Sequence, residues 1–263
     1  MLLAELETVL GAWLASSPLN GIGRMEALST TPVSAAPLRI FDPPLLAVAD
    51  AEDLLWARLK EAEVIGPGHR SPGEWLPGAR SVVSYFLPYS PAVRQANRGQ
   101  GLTATEWLYG RWEGEQCNVA LARRLEQALR AAGARALAPM ADARHQVAQG
   151  RSNWSERHAA FIAGLGTFSL SRSLITRRGS AGRLGSVVTD AFLAPTPRAY
   201  QGVTEYCSEC GNCIPRCPPG AIGPSGKDNR LCKIYLDETL ALYSPRYGCG
   251  KCQTGVPCEA SRG

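Results

Sequence analysis

No run of apolar residues in this 263-residue chain approaches the roughly 20 that a membrane-crossing helix requires, so the sequence reads as that of a soluble protein with no membrane partner. An export signal is missing as well: Met1 to Leu14 is apolar but interrupted by Glu5 and Glu7, with no basic start and no small-residue cleavage pattern. Charge of one sign is not concentrated either. The net charge is +5 and the arginines are scattered, which makes nucleic acid an unlikely partner. No internal repeat is visible outside two cysteine-bearing stretches near the end of the chain. With 45% hydrophobic residues the chain can bury a sizeable core, and two domains are expected, residues 1–195 and 196–263.

Cysteine is abundant, and in one place. Eight of the nine cysteines lie between Cys207 and Cys258. Cys207, Cys210 and Cys213 are spaced by two residues each, so one tight loop, freed by Gly211, can wrap three thiolates around three corners of an iron–sulfur cube. Cys217 and Pro218 complete the C-x2-C-x2-C-x3-C-P run of bacterial two-cluster ferredoxins, whose fourth cysteine ligates the other cluster. The expected sets are therefore Cys207, Cys210, Cys213 and Cys258 on one 4Fe-4S cluster and Cys217, Cys232, Cys249 and Cys252 on a second, less regularly spaced one. Zinc sites more often present cysteines as separated pairs. A disulfide framework would need an oxidising compartment, whereas free thiolates and the missing signal fit a cytoplasmic protein. Cys117, outside this region, reads as a small buried hydrophobe.

Upstream, helical spacing predicts helices over Leu2 to Leu14, from Asp50 through Lys60, over Ala104 to Ala132 with Gly133 as its stop, and over Trp154 to Ala163, broken by Gly164-Leu165-Gly166. Strands are expected at Leu45 to Ala49, Ser81 to Leu87 as the central one, Ala134 to Pro139 and Ser186 to Phe192, with a loop over Asn20 to Pro37. This order of strands and helices suggests an α/β layer.

Three of these stretches, EWLPGARSVVSYFLPY, ERHAAFIAGLGTF and GSVVTDAFL, together with the cysteine order, resemble the superfamily of epoxyqueuosine reductases and reductive dehalogenases across about residues 60 to 260. The resemblance implies an α/β (α+β) core with a nitroreductase-like, cobalamin-binding fold, followed by a ferredoxin-like domain with two 4Fe-4S clusters that passes electrons to the cobalt of a corrinoid. It also implies the helix end at Ala163 to Gly166 near the corrinoid. Three departures stand out. Epoxyqueuosine reductases place a catalytic acid shortly before the AGLG-type helix, but Gln149 to Trp154 holds no carboxylate, and the nearest are Glu156 and Asp142. Their Asp-Tyr-His-like segment is matched here by Tyr109-Gly110-Arg111-Trp112-Glu113. The chain stops five residues after Cys258, where tRNA-acting relatives continue, so queuosine chemistry on tRNA is not expected.

Candidate proton donors are Tyr109, His158 and Glu156. Gly164 and Gly166 could admit a flat cofactor, and Arg177, Arg178 and Arg183 could meet phosphate or carboxylate groups of a corrinoid or substrate. His69 and His145 carry no assigned role. The expected function is that of an iron–sulfur oxidoreductase in which an external donor such as a ferredoxin or flavodoxin feeds two clusters, and these reduce a corrinoid or a small-molecule substrate. The alternatives are a non-catalytic electron carrier that docks a partner enzyme, and a tRNA-modifying reductase.

Overall fold

The chain is described by a computed structural model over residues 3–28, 33, 36–148 and 150–262. Leu6, Leu10 and Leu14 recur every four residues, and this stripe makes α1 (Leu3–Ser16) one-sided, with all three leucines fully buried. Buried Asn20 then pins the chain. Its amide donates to the Leu14 and Phe41 carbonyls at 3.2 and 3.0 Å and accepts from the Phe41 N–H at 2.8 Å. Within the loop expected over Asn20 to Pro37, β1 (Gly21–Ile22) pairs with β2 (Leu38–Arg39), while positions 29–32, 34 and 35 lie outside the described residues.

β3 (Leu45–Asp50) and β4 (Ser81–Pro88) fall where the apolar runs predict them. The helix expected through Lys60 shrinks to a single turn, α2 (Leu55–Arg58), and a second turn, α3 (Pro72–Trp75), precedes β4. After α4 (Pro91–Ala96) comes the long α5 (Thr105–Ala131), whose buried row of Cys117, Leu121, Leu125 and Leu129 follows its four-residue spacing. Gly133, at φ +87°, terminates it in the left-handed region that glycine enters without strain. β5 (Ala136–Leu137), the hairpin of β6 (Val147–Ala148) with β7 (Arg151–Ser152), α6 (Glu156–Ile162), the hairpin of β8 (Gly166–Phe168) with β9 (Leu174–Thr176), and β10 (Gly182–Thr189) complete the core. β10 starts four residues before the predicted strand and ends three before it does.

The main sheet runs β3-β4-β10-β5, and every pairing in it is antiparallel. The layered α/β expectation is met in composition but not in strand direction. A parallel β3 to β4 step would need a crossover helix of a dozen or more residues, and α2 and α3 have four each. Successive side chains of a strand point to opposite faces, and here both faces are covered. Leu46, Val48, Val83, Tyr85, Leu87 and Val187 pack beneath α1 and α5, whereas Leu45, Ala47, Ala49, Val82, Phe86 and Val188 pack against α6 and the indoles of Trp56, Trp75 and Trp154.

Beyond the core come the small hairpin of β11 (Ile222–Gly223) with β12 (Gly226–Lys227) and α7 (Asn229–Tyr243). Asp228 caps α7 by accepting from the Arg230 and Leu231 amides at 2.7 and 3.1 Å. The last segment returns to the core. Thr103 donates to the Gly248 carbonyl, Asn97 to the Cys249 carbonyl, and Lys251 to the Gly99 carbonyl, each at 2.9 Å. Arg246 pairs with Glu113 of α5. Glu259, 3% exposed, takes a two-pronged contact from Arg98 at 3.0 and 2.9 Å and accepts from the Gly255 amide at 2.7 Å. Arg94 lies a further 3.7 Å off. Glu259→Ala is expected to lower the unfolding free energy by roughly 3 kcal/mol, because two guanidinium groups lose their buried partner. Urea denaturation at neutral pH checks this, and a change below about 0.5 kcal/mol would show that the contact holds nothing together.

Candidate active site

Between the outer edge of the core and the returning cysteine segment lies a cavity of about 1150 Å³. Its walls come from β4, α5, α6 and β10 on one side and from residues 217–236 and 248–253 on the other. Small-molecule sites run to roughly 1,000 Å³, so this one has room for a large ligand. The sheet supplies a polar floor. Tyr85 of β4 donates to Asn118 Oδ1 at 2.9 Å, Asn118 donates to the Leu184 carbonyl at 3.2 Å, and Arg183 of β10 pairs with Glu115 of α5. Gly185 makes that floor possible, since a side chain on it would collide with the Tyr85 ring.

The eight clustered cysteines divide between two places. Cys217, Cys232, Cys249 and Cys252 border the large cavity. Cys207, Cys210, Cys213 and Cys258 border a separate, narrow one. None is joined in a disulfide. Backbone and hydroxyl groups already point at the sulfurs: the Ala221 amide donates to Cys217 Sγ at 3.2 Å and the Ser180 hydroxyl to Cys258 Sγ at 3.9 Å. Gly250, at φ +64° between Cys249 and Cys252, lies so close to the Trp107 indole that no side chain fits there. Burial pushes the Cys213 thiol up to about 11 and the Cys249 thiol up to about 12, so both stay protonated unless a metal displaces the proton. Among the described residues no three His, Cys, Asp or Glu side chains converge on one point as the ligands of a single metal ion do.

Glu156 opens α6 and reaches the same cavity. Both carboxyl oxygens are shielded from solvent and have no hydrogen-bond partner. Burial dominates, pushing this carboxyl up to about 8; nearby Ser186 and Trp154, bonded to each other at 3.0 Å, oppose the shift without cancelling it. His158, two residues on, contacts the Ser155 hydroxyl at 2.8 Å through Nδ1 and packs on Phe168. Burial, then Arg157, pushes it down to about 4, which leaves a neutral ring at neutral pH. Burial thus favours the protonated carboxyl at Glu156 and the neutral ring at His158.

The remaining candidates have other surroundings. Tyr109 does not border the cavity: its hydroxyl accepts from the Glu26 amide at 3.1 Å and Arg246 lies 4.0 Å over its ring. Gly164 abuts the Thr196 and Pro197 carbonyls, and a side chain on Gly166 would strike the Ile175 carbonyl across the β8–β9 hairpin. Arg177 is exposed, and Arg178 bonds Asp42 and the Pro43 carbonyl, each at 2.9 Å. Arg183 alone of the three arginines reaches the cavity. Cys117 is fully buried in the core, as its position in the helix suggested. His145 borders the cavity, and buried His69 stacks on Trp154 at 5.8 Å. Gln149 lies outside the described residues, and positions 150–154 hold no carboxylate. Tyr85, Asn118 and Glu115 escaped sequence reasoning because they sit in patterns that read as strand interior and helix face.

The Glu156 carboxyl should also mark the pH dependence of folding. Its folded-state value is raised, so its favourable contribution is complete below about 4.5 and is lost as the pH climbs towards about 8. Glu156→Gln is expected to flatten this slope and to be more stable than the parent by roughly 2 to 5 kcal/mol above pH 8. Urea unfolding of both proteins at acid and alkaline pH measures it, and parallel slopes would show that the carboxyl is solvated.

No family model matches the chain. An epoxyqueuosine reductase of Listeria monocytogenes is 32% identical over 112 residues, 38% of this chain and 28% of that protein. One from Gloeobacter violaceus is 29% identical over 209 residues, 73% of this chain and 60% of that protein. Among solved structures, a selenomethionine-labelled epoxyqueuosine reductase superposes with a TM-score of 0.57 at 22% identity, over 83% of this chain and 62% of that one. A catabolic reductive dehalogenase in complex with 3-bromo-4-hydroxybenzoic acid gives 0.57 at 15% identity, over 97% and 36%. The chain thus spans less than two thirds of the length of each of these relatives.

Proposed function

From the chain's place in the superfamily of epoxyqueuosine reductases and reductive dehalogenases, we propose that it is an iron–sulfur reductase whose chemistry takes place in the large cavity. In this reading Cys207, Cys210, Cys213 and Cys258 hold one 4Fe-4S cluster and Cys217, Cys232, Cys249 and Cys252 a second, so that residues 196–263 act as a ferredoxin-like unit on the core of residues 1–195. The observation that carries it is the division of the thiols: one quartet stands on the cavity wall, and the other, with exposed Cys210, faces outward, where an external donor can reach it. The clusters supply one-electron transfer, and a corrinoid, if the cavity takes one, supplies a reducible cobalt centre. The chain's own residues shape that cavity. Tyr85, Asn118 and Arg183, held by their own hydrogen bonds and ion pair, make its floor polar, and Trp154 and Phe168 wall it with aromatic surface.

The size of the cavity favours this reading over that of a non-catalytic carrier, which has no use for such a site. A small-molecule substrate is favoured over tRNA, because a net charge of +5 over 263 residues provides little counterion release.

Metal analysis of anaerobically purified protein should give about eight irons per chain, and Cys232→Ser should bring this to about four while sparing the other quartet. Titration with cobalamin should show saturable binding in the cobalamin absorption spectrum. Zinc in place of iron would overturn the cluster assignment, and full iron content without cobalamin binding would restrict the proposal to a corrinoid-free reductase. A tRNA stem loop should bind only weakly and with a shallow dependence on salt.

A further inference from the structure

Reduction of most organic substrates needs protons as well as electrons, and the stretch where the resemblance implies an acid has no carboxylate among its described residues, 150–154. The cavity wall nevertheless contains a buried carboxyl group without an ion pair, Glu156, beside the exposed Glu63 and the paired Glu115. Glu156 neither pairs with an arginine nor caps a turn, and both of its oxygens lie shielded from solvent with only the neutral Ser186 and Trp154 groups beside them. The elements around it explain why no cation claims it. β4 presents Tyr85, which is engaged with Asn118, and β10 presents Arg183, which is already paired with Glu115 of α5. Cys117 of α5 lies behind Tyr85 as a thiol pushed up to about 12 by burial. On α6 itself His158 turns to Ser155, and Arg157 donates to the Arg172 carbonyl at 2.8 Å. His69 stacks on Trp154 with neither ring nitrogen bonded, and β3 brings only Asp50, which bonds the Glu52 amide at its exposed end.

We propose that Glu156 is the catalytic acid of this cavity, the group that hands a proton to the substrate as it is reduced. The assignment rests on the reading of the cavity as the reducing site. The step balances simply. An external reductant loses two electrons and the substrate gains them. The O–H bond of Glu156 breaks, its hydrogen bonds to the substrate atom that received the electron pair, and any displaced group leaves as an anion. The carboxylate left behind then regains a proton from water. A carboxyl pushed up to about 8 is protonated at neutral pH and still acidic enough to give the proton up, which is the compromise a general acid requires.

Difference infrared spectra of the iron-loaded protein, recorded as the pH is stepped across about 8, test this directly. The wild type should show the carbonyl stretch of an un-ionised carboxylic acid at neutral pH that disappears on titration. Glu156→Gln should lack that band, and Glu156→Asp should retain one. With 3-bromo-4-hydroxybenzoic acid as the probe and titanium(III) citrate as reductant, bromide release should fall above about pH 8 and drop at least about 100-fold in Glu156→Gln. No carboxylic-acid band in the wild type, a band that survives Glu156→Gln, or bromide release unaffected by that substitution would each overturn the assignment. Iron content and cobalamin binding measured on the same samples keep the two ideas apart. Iron-loaded protein without the band removes the acid and leaves the reductase, whereas a titrating Glu156 in protein that takes no iron removes the reductase and with it the donor role.

Discussion

The carboxylate of Glu259, buried against Arg98, Arg94 and the Gly255 amide, fixes the position of the segment on which the candidate site depends. That segment carries Cys249, Cys252 and Cys258, one member or more of each quartet. Its backbone is also paired to the start of β10, with the Ser180 and Ala181 amides donating to the Cys258 and Glu259 carbonyls at 2.9 and 3.2 Å. A thiolate set holds a cluster only if its members are held to the cluster's shape, and a strand in the middle of a sheet is about the stiffest support a fold offers. The sequence-distant half of each quartet is thus referenced to the same β10 that presents Arg183 and Gly185 to the cavity. One clasp sets both the spacing within the cysteine sets and their position relative to the floor.

The cavity owes its character to an asymmetry between the two faces of the sheet. Beneath α1 and α5 the core is closed by aliphatic rows, and buried polar groups such as Asn20, Tyr85, Tyr89 and Asn118 are hydrogen-bonded within it. Toward α6 the layer is thinner: a seven-residue helix and three indoles cover the sheet, and the wall beyond them is completed by the cysteine segments rather than by another helix. Polar and charged groups on this side are buried without being enclosed in a close-packed core. Such surroundings shift carboxyl and imidazole groups strongly while leaving space for a ligand, so perturbed groups concentrate at candidate sites.

How much of this was legible in the sequence depends on which force set each feature. The division of the clustered cysteines between two cavities follows the two sets that their spacing suggested. α1, α5 and β4 were legible because burial of one face or both imposes a period. Strand direction was not, since an apolar run looks the same parallel or antiparallel, and the helix expected from Asp50 through Lys60 is a single turn whose start is set later, where Asp53 accepts from the Leu55 amide at 3.0 Å. Gly164 and Gly166 read as room for a cofactor but serve close backbone packing. Tyr109 lies at the right place on α5 and points into a contact with residue 26 that is remote in sequence. Arg178 and Arg183 look alike in the sequence, yet one lies in an ion pair with Asp42 and the other in the cavity, a difference decided by the register of β10 against β4.

Glu156 shows why residue type alone could not rank the candidate donors. At the start of a helix, glutamate is ordinarily an exposed residue stabilised by the backbone amides, and such a carboxyl is ionised at neutral pH and useless as an acid. What changes its chemistry is the set of its neighbours: Trp154 and Ser186 satisfy each other, Tyr85 is taken by Asn118, and Arg183 is taken by Glu115. Burial outweighs the help that Ser186 and Trp154 still give the carboxylate, and with Tyr85 and Arg183 engaged elsewhere no cation offsets it, so protonation is favoured while Glu156 stays buried. An acid in the loop before α6 would have to acquire its proton from a comparable desolvation, in a stretch that here runs along the surface at Arg151. The helix start, anchored on β4 and β10, is the position where this fold can hold a neutral carboxyl against the cavity.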